Sequence, residues 1–238
     1  MTNKWLKVAL MATAIATGTS INIDAETVLY VPQDDRPVSL QYTVDTAREA
    51  GMTVLTPPQN LISGKTYQGQ ADQIMAWVEQ NAGRADVMVL STDTLIYGGL
   101  VDSRKHNIPL STLESRLKRI EGLKARHKNV RIYGFGTVMR SPRASGGGTE
   151  PAYYAEYGPT IFQIAALQDK LDSGSLTQEE TQKLMSLQAS VPVEYLQDWF
   201  DRRQKNMKIN KELIDETRSG IFDYFALGHD DTSQLSQS

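Results

Sequence analysis

The chain has 238 residues, 40% of them hydrophobic and 22% charged, a composition typical of one water-soluble globular domain. It excludes collagen, coiled coils, disordered chains and polytopic membrane proteins. The 25 basic and 28 acidic residues give a formal charge of −3 without an extended basic run, so we expect no nucleic-acid partner. There is no cysteine, which excludes disulfides, thiolate nucleophiles and zinc–thiolate sites and leaves carboxylates, histidines, hydroxyls and arginines for chemistry.

Residues 1–25 have the pattern of a signal peptide. Lys4 and Lys7 precede an apolar stretch, 8–16, that is too short to span a bilayer, and small residues follow it. An uncleaved membrane anchor is the alternative. We therefore predict a periplasmic or secreted protein without stable membrane insertion after cleavage, in which residues 26–238 form a single α/β domain.

After the signal peptide, segments with the patterns of strands and helices alternate. The β-branched and apolar runs predict strands at 27–32, 53–55, 86–91, 130–138 and 221–227. Amphipathic helices are predicted between them, starting near Pro37, near Ala71 and at Ser111, where Ser111 and Glu114 have the spacing of a capping box.

Residues 151–219 contain no predicted strand. Three helices fit there, at about 152–171, 177–189 and 192–218, and Thr177 with Glu180 forms a second capping-box pattern. Because the chain returns to a strand at 221–227, we interpret this region as a helical insertion in the α/β domain.

Alternating strands and helices favour an α/β fold with a mostly parallel sheet and flanking helices, because parallel neighbours need crossover connections. An open doubly wound sheet and a partial β/α barrel both match the pattern, and the open sheet is favoured for this length. In both architectures ligands bind at the carboxyl ends of the strands.

Four of the five predicted strands end in charged residues. The carboxylates that follow strands are candidate acids, bases or nucleophiles: Asp34, Asp35, Asp93, Asp230 and Asp231. The remaining residues near strand ends are candidates for substrate binding: Arg36, Tyr97, Gly98, Gly99, Ser103, Arg104, Arg140, Arg143 and His229. Each also has a structural alternative, such as helix capping for Asp34 and a tight turn for Gly98.

The carboxylates have two chemical interpretations. Crowded carboxylates raise one another's pKa, which gives a protonated acid beside an ionised base, the arrangement that hydrolyses glycosidic bonds. Alternatively, Asp34, Asp93 and Asp230 are hard oxygen ligands for Mg²⁺, Ca²⁺ or Mn²⁺, so the cofactor is either none or a divalent cation. The arginines either bind an anionic or polyhydroxylated substrate or pair with the acids. His106 and His127 are expected at the surface.

Three motifs carry a family resemblance: Asp34-Asp35-Arg36-Pro37 after a strand, Tyr97-Gly98-Gly99-Leu100 with Ser103-Arg104, and Asp230-Asp231-Thr232-Ser233. In this order they resemble the bacterial domain-of-unknown-function family 4127 over nearly the whole chain after the signal peptide. Thr232 departs from the Asp-Asp-Ala-Ser form of the last motif. Family members are considerably longer, so the resemblance implies an amino-terminal portion, and the family name implies no activity.

These observations favour an exported carboxylate-dependent hydrolase, glycosidase-like, acting on a glycan or another component of the cell envelope. The alternative is a non-catalytic periplasmic ligand-binding module for a sugar or an anion. In either case the expected partner is a small molecule or a glycan.

Overall fold

The computed structural model describes residues 25–144 and 147–230. Five strands lie in that part of the chain: β1 (Thr27–Val31), β2 (Thr53–Leu55), β3 (Val87–Ser91), β4 (Arg131–Val138) and β5 (Tyr224–His229). Eight α-helices accompany them there: α1 (Gln41–Glu49), α2 (Ala71–Asn81), α3 (Thr92–Tyr97), α4 (Leu100–Lys105), α5 (Leu110–Arg126), α6 (Tyr154–Asp172), α7 (Gln178–Ala189) and α8 (Val193–Arg218).

The five strands form one parallel sheet in the order β2-β1-β3-β4-β5. The predicted α/β fold with a parallel sheet and flanking helices is therefore confirmed. The chain runs outward from β1 to β2 and then returns past β1 to β3, which is the order of an open doubly wound sheet. A β/α barrel would instead place successive strands side by side. The direction of winding reverses between β1 and β3, and this switch point is where such sheets bind ligands.

The two faces of the sheet are covered differently. On one face, apolar strand residues such as Leu29, Met88 and Ile132 pack in a buried core with residues of α2, α5 and α8. The opposite face carries α1, in which Val44 is the buried residue. An apolar groove of about 270 Å³ lies between α1 and this face, and Tyr133 is among its lining residues.

The helix α8 belongs to both parts of the fold. Its first half packs Trp199 against Tyr154 and Ile161 of α6 in a second apolar cluster, while Ile209 and Leu213 of its second half lie in the main core. The helices between β4 and β5 therefore include the crossover that returns the chain to the sheet. No helix among residues 25–144 and 147–230 is long and apolar enough to cross a bilayer.

The two predicted capping boxes have different outcomes. The box of Thr177 and Glu180 is confirmed at the start of α7, where both reciprocal hydrogen bonds are present. The box at Ser111 is wrong, because α5 begins one residue earlier, after Pro109, and has no side-chain cap. Glu114 instead forms an ion pair with Lys208 of α8, a tertiary contact that local spacing does not reveal.

The last strand lies further along the chain than predicted. Residue Phe222, placed inside the predicted strand, is buried in the core before β5 begins. Asp223 accepts hydrogen bonds from the backbone N–H of Ile132 and from Lys124, both at 2.8 Å, and so fixes the entry to the strand. Gly134 makes room on β4 for this arrangement, since a Cβ there would collide with the rings of Phe222 and Phe225.

Candidate functional site

The segments after β1, β2, β3 and β4 meet at the carboxyl edge of the sheet and border a cavity of about 260 Å³. We call this cavity the strand-end crevice. Its lining residues are Asp34, Arg36, Ser63, Gly64, Lys65, Leu100, Val101, Arg104, Arg140 and Thr149. Four predicted site residues, Asp34, Arg36, Arg104 and Arg140, are thus brought together around one space.

Asp34 is the carboxylate that lines the crevice directly. Its Oδ2 accepts a hydrogen bond of 2.8 Å from Nε of Arg36, and its Oδ1 accepts one of 3.2 Å from the backbone N–H of the same residue. This local turn after β1 buries Asp34 and raises the pKa of Arg36, chiefly through the side-chain hydrogen bond. The neighbouring Asp35 points elsewhere, because its carboxylate accepts a hydrogen bond from the hydroxyl of Tyr67.

Asp93 lies beside the crevice without lining it. It stands in the first turn of α3, directly after β3, and is only 2% exposed. Its Oδ2 accepts hydrogen bonds from Nε2 of Gln33 at 2.8 Å and from Oγ1 of Thr137 at 2.9 Å. Burial raises the pKa of Asp93 to about 6, and the negative charge of Asp230 acts in the same direction. Among the described residues, Asp93 has no ion-pair partner.

The half-buried partners of Asp93 come from two different strand ends. Gln33 follows β1, and Thr137 is near the end of β4. Since β1 and β3 are neighbours at the switch point, Asp93 occupies the position where doubly wound sheets bind their ligands.

Asp230 and Arg104 form a buried bidentate ion pair. Both bonds, from Nε and Nη2 of Arg104 to the two oxygens of Asp230, measure 2.7 Å. The Nη1 atom of Arg104 lies 3.8 Å from Oε1 of Glu150, and Arg140 binds the same oxygen from Nη2 at 2.6 Å. The side chains of Asp230, Arg104, Glu150 and Arg140 therefore alternate in charge, and the two arginines line the crevice.

Glu150 was not among the residues predicted for the site. It is buried, although it lies two residues after the glycine-rich stretch 146–148, which suggests an exposed loop. A carboxylate between such a loop and a predicted helix is the only signal that the sequence carries for it. The pairing with Arg140 and Arg104 becomes visible only when the ends of β4 and α4 meet.

The glycines at 98 and 99 shape the turn between α3 and α4. Gly98 has a φ of +112°, which L-amino acids with side chains rarely adopt. A Cβ at Gly98 would lie 2.8 Å from the carbonyl oxygen of Gly69, and one at Gly99 would overlap the side chain of Ser63. The backbone therefore makes the expected tight turn, and the group packed against it is the protein's own segment 63–69.

Tyr97 and Ser103 are buried in α3 and α4 and do not line the crevice. The ring of Tyr97 stacks on His106 with centroids 4.9 Å apart, and its buried hydroxyl has no hydrogen-bond partner within the described residues. Burial raises the pKa of Tyr97. Ser103 donates its hydroxyl to the carbonyl of Leu100 at 2.7 Å and is buried inside α4.

His106 was expected at the surface, and that prediction is wrong, because the residue is 5% exposed. Its Nδ1 accepts from the backbone N–H of Ile108 at 3.2 Å, so Nε2 donates to Oδ1 of Asn206 at 2.8 Å. Burial lowers the pKa of His106 to about 4. The residue is a neutral structural group at physiological pH.

Two further predicted site residues, Arg143 and His229, do not line the crevice. The guanidinium of Arg143 lies 5.4 Å from the ring centre of Phe162 and borders another cavity, beside α6 and α7. His229 is the exposed last residue of β5. Asp231 lies outside the described residues. Within residues 25–144 and 147–230, no group of three histidine or carboxylate side chains is arranged to hold a metal ion.

A row of buried polar residues on α8 was also missed. Arg202, Asn206 and Asn210 follow one another at intervals of four residues, and we call them the α8 seam. Nε of Arg202 donates to the carbonyl of His106 at 2.7 Å, and Nδ2 of Asn206 donates to that of Ser103 at 2.8 Å. Asn210 donates to the carbonyl of Thr137 at 3.3 Å. The spacing of four was the available signal, and it marked a buried helix face.

A comparison with protein families agrees with the three motifs. The model described as "Protein of unknown function (DUF4127)" matches residues 28–238, so the chain belongs to this family and the resemblance is confirmed. No curated protein and no solved structure matches the chain.

Proposed function

We propose that the protein is an exported carboxylate-dependent hydrolase that acts on a glycan or another component of the cell envelope, with Asp93 as its general acid. The observation that carries the proposal is the environment of Asp93. It is a buried carboxyl at the switch point of the sheet, and it has no cationic partner among the described residues. Asp34 and Asp230, in contrast, are both paired with arginines.

This difference supplies the two protonation states that hydrolysis requires. With a pKa near 6, Asp93 retains a proton in a useful fraction of molecules near neutral pH. The ion-paired carboxylate of Asp34 lines the crevice and accepts a proton from water. The proposed reaction requires that the leaving-group oxygen reach Asp93, which lies beside the crevice. The proton of Asp93 then moves to this oxygen as the C–O bond breaks, and the deprotonated water supplies the hydroxyl group.

Export is part of the proposal and is supported by the signal-peptide pattern of residues 1–25, of which 1–24 lie outside the described residues. Mass spectrometry of the protein recovered from the periplasm or the medium tests it. Export with cleavage predicts an amino terminus between Thr17 and Glu26. An intact Met1 terminus on membrane-bound protein would contradict it.

A periplasmic ligand-binding module is the second candidate, and it is favoured by the ion pairs of the crevice. Asp34, Asp230 and Glu150 are each bound by an arginine, and Asp93 is buried. Such a site binds a ligand without a free acid or base, provided that Asp93 never reaches the ligand.

The substitution Asp93→Asn separates the two candidates. If the protein is a hydrolase, we expect turnover of its glycan substrate to fall by roughly 1,000-fold while the ligand affinity stays within a factor of about three. The assay measures release of reducing ends from isolated cell-wall and capsular glycans, and titration calorimetry measures binding to the fragments. Asp45→Asn, on the exposed surface of α1, is the matched control.

A receptor would show saturable binding in the wild type and no release of reducing ends from any of these glycans. Equal turnover by wild type and Asp93→Asn would contradict the role given to Asp93.

A further inference from the structure

The three arginines of the strand-end crevice present the same edge to their carboxylate partners. Arg36, Arg104 and Arg140 each use Nε and Nη2 for their principal contacts, with Asp34, Asp230 and Glu150 respectively. A guanidinium has five N–H donors, and the Nε–Nη2 edge uses only part of them. Within the described residues, Nη1 of Arg36 and Nη1 of Arg140 have no acceptor and remain for another one, whereas Nη1 of Arg104 lies 3.8 Å from Oε1 of Glu150.

Lys65 adds a cation that these pairs do not balance. It lines the crevice and is exposed, and the structure gives it no ion pair with any residue of 25–144 or 147–230. Its Nζ lies near Gly147, where a Cβ would be 3.8 Å away. The lining of the crevice thus contains four cationic side chains and one carboxylate, Asp34.

The size of the crevice limits what this charge can bind. At about 260 Å³, it falls below the range of roughly 300–1,000 Å³ that is usual for drug-sized ligands. It therefore suits one sugar ring or one charged group better than a long oligosaccharide. A neutral ring would leave Lys65 without a countercharge, whereas a phosphate or a carboxylate matches its charge and also accepts hydrogen bonds from arginine N–H groups.

We propose that the strand-end crevice binds an anionic group, a phosphate or carboxylate carried by the sugar, and that Lys65 provides the charge that selects it. The inference rests on the proposed use of this crevice and holds for hydrolysis and for binding alike. Lys65 is a binding residue here and takes no part in proton transfer.

The test is calorimetric titration of the full mature chain with glucuronate, glucose 6-phosphate and glucose. We expect both anionic sugars to bind at least 10-fold more tightly than glucose, and the advantage to shrink as NaCl is raised from about 0.05 to 0.5 M. Lys65→Gln is expected to weaken the anionic sugars by roughly 10-fold and to leave glucose unchanged. Lys118→Gln, an exposed lysine of α5, is the control.

Equal affinity for the three sugars would overturn the inference, and so would a Lys65→Gln variant that binds the anions as the wild type does. The ratio between glucuronate and glucose 6-phosphate distinguishes a carboxylate site from a phosphate site. The hydrolase proposal has a separate outcome: anion binding without turnover of any glycan rejects hydrolysis and supports the anion site. Turnover of neutral and acidic glycans at equal KM, without anion binding, rejects the anion site and supports hydrolysis.

Discussion

The strand-end crevice and the α8 seam both contain buried polar side chains, and they meet at α4. Arg104 of α4 extends into the crevice to bind Asp230, while the carbonyl of Ser103, one residue earlier, is held by Asn206 of the seam. The hydrogen bonds of the seam join α8 to the end of α4 and to β4. The crevice surrounds a space and contains Lys65 without an ion pair among the described residues. Burial of polar groups is thus common to both regions, and the cavity with an unbalanced charge distinguishes the functional candidate.

The largest expected effect on stability is in the seam. Replacing Arg202 with Met leaves the carbonyl of His106 without its donor. It also removes the cationic partner of Asp198, which keeps the hydrogen bond from the hydroxyl of Tyr153. We expect the free energy of unfolding to fall by roughly 3 kcal/mol, since removing one partner of a buried pair usually costs about 3–5 kcal/mol and Asp198 is partly exposed. Urea denaturation measures the change.

The same variant also tests the separation of the two regions. Under conditions in which Arg202→Met is folded, we expect sugar affinity to stay within about twofold of the wild type. A large loss of affinity in folded protein would show that the seam and the crevice act as one unit.

The second effect is the pH dependence that Asp93 gives to the crevice. Its folded pKa of about 6 exceeds the unfolded value of 3.8, so the folded state binds the proton more tightly. The contribution of Asp93 to stability is fully present below pH 3.8 and falls by roughly 3 kcal/mol as the pH rises through 6. We therefore expect Asp93→Asn to remove this decline, so that its stability relative to wild type improves between pH 4 and pH 7. Denaturation curves over this range, with Asp45→Asn as control, measure it.

The third effect has the opposite sign and comes from His106, which the seam binds. Its folded pKa of about 4 lies below the unfolded 6.5, so its contribution to stability is full above pH 6.5 and is lost as the pH falls through 4. His106→Gln is expected to lose stability overall but to show a weaker acid-induced decline than the wild type. A difference between variant and wild type that stays constant from pH 7 to pH 4 would show that His106 titrates normally. His127→Gln is the matched control.

The smallest effect lies outside both regions, at the start of α7. Thr177→Ala removes one half of the capping box, and we expect it to lower the free energy of unfolding by about 1 kcal/mol. Sugar affinity should not change. Calorimetric melting measures the loss, and Thr181→Ala within the same helix serves as the comparison.

Much of the candidate site was predictable because its residues lie near the carboxyl ends of predicted strands. The apolar runs located β1, β3 and β4, and the rule for parallel sheets then placed Asp34, Asp93, Arg104 and Arg140 at one edge. What the pattern did not distinguish was which acids are paired. Asp34 is bonded to a residue two positions away, whereas Asp230 is bonded to one 126 positions away, and both contacts needed the folded chain to be seen.

The sequence alone determined the alternation of strands and helices, the parallel sheet and the edge where polar residues collect, because these depend on local periodicity and on the general chirality of crossover connections. It indicated the family through its three motifs. Tertiary structure decided the order of the strands, the burial of His106 and Glu150 and the isolation of Asp93 from any arginine among the described residues. These properties depend on desolvation and on contacts between segments far apart in the chain, which no local pattern encodes.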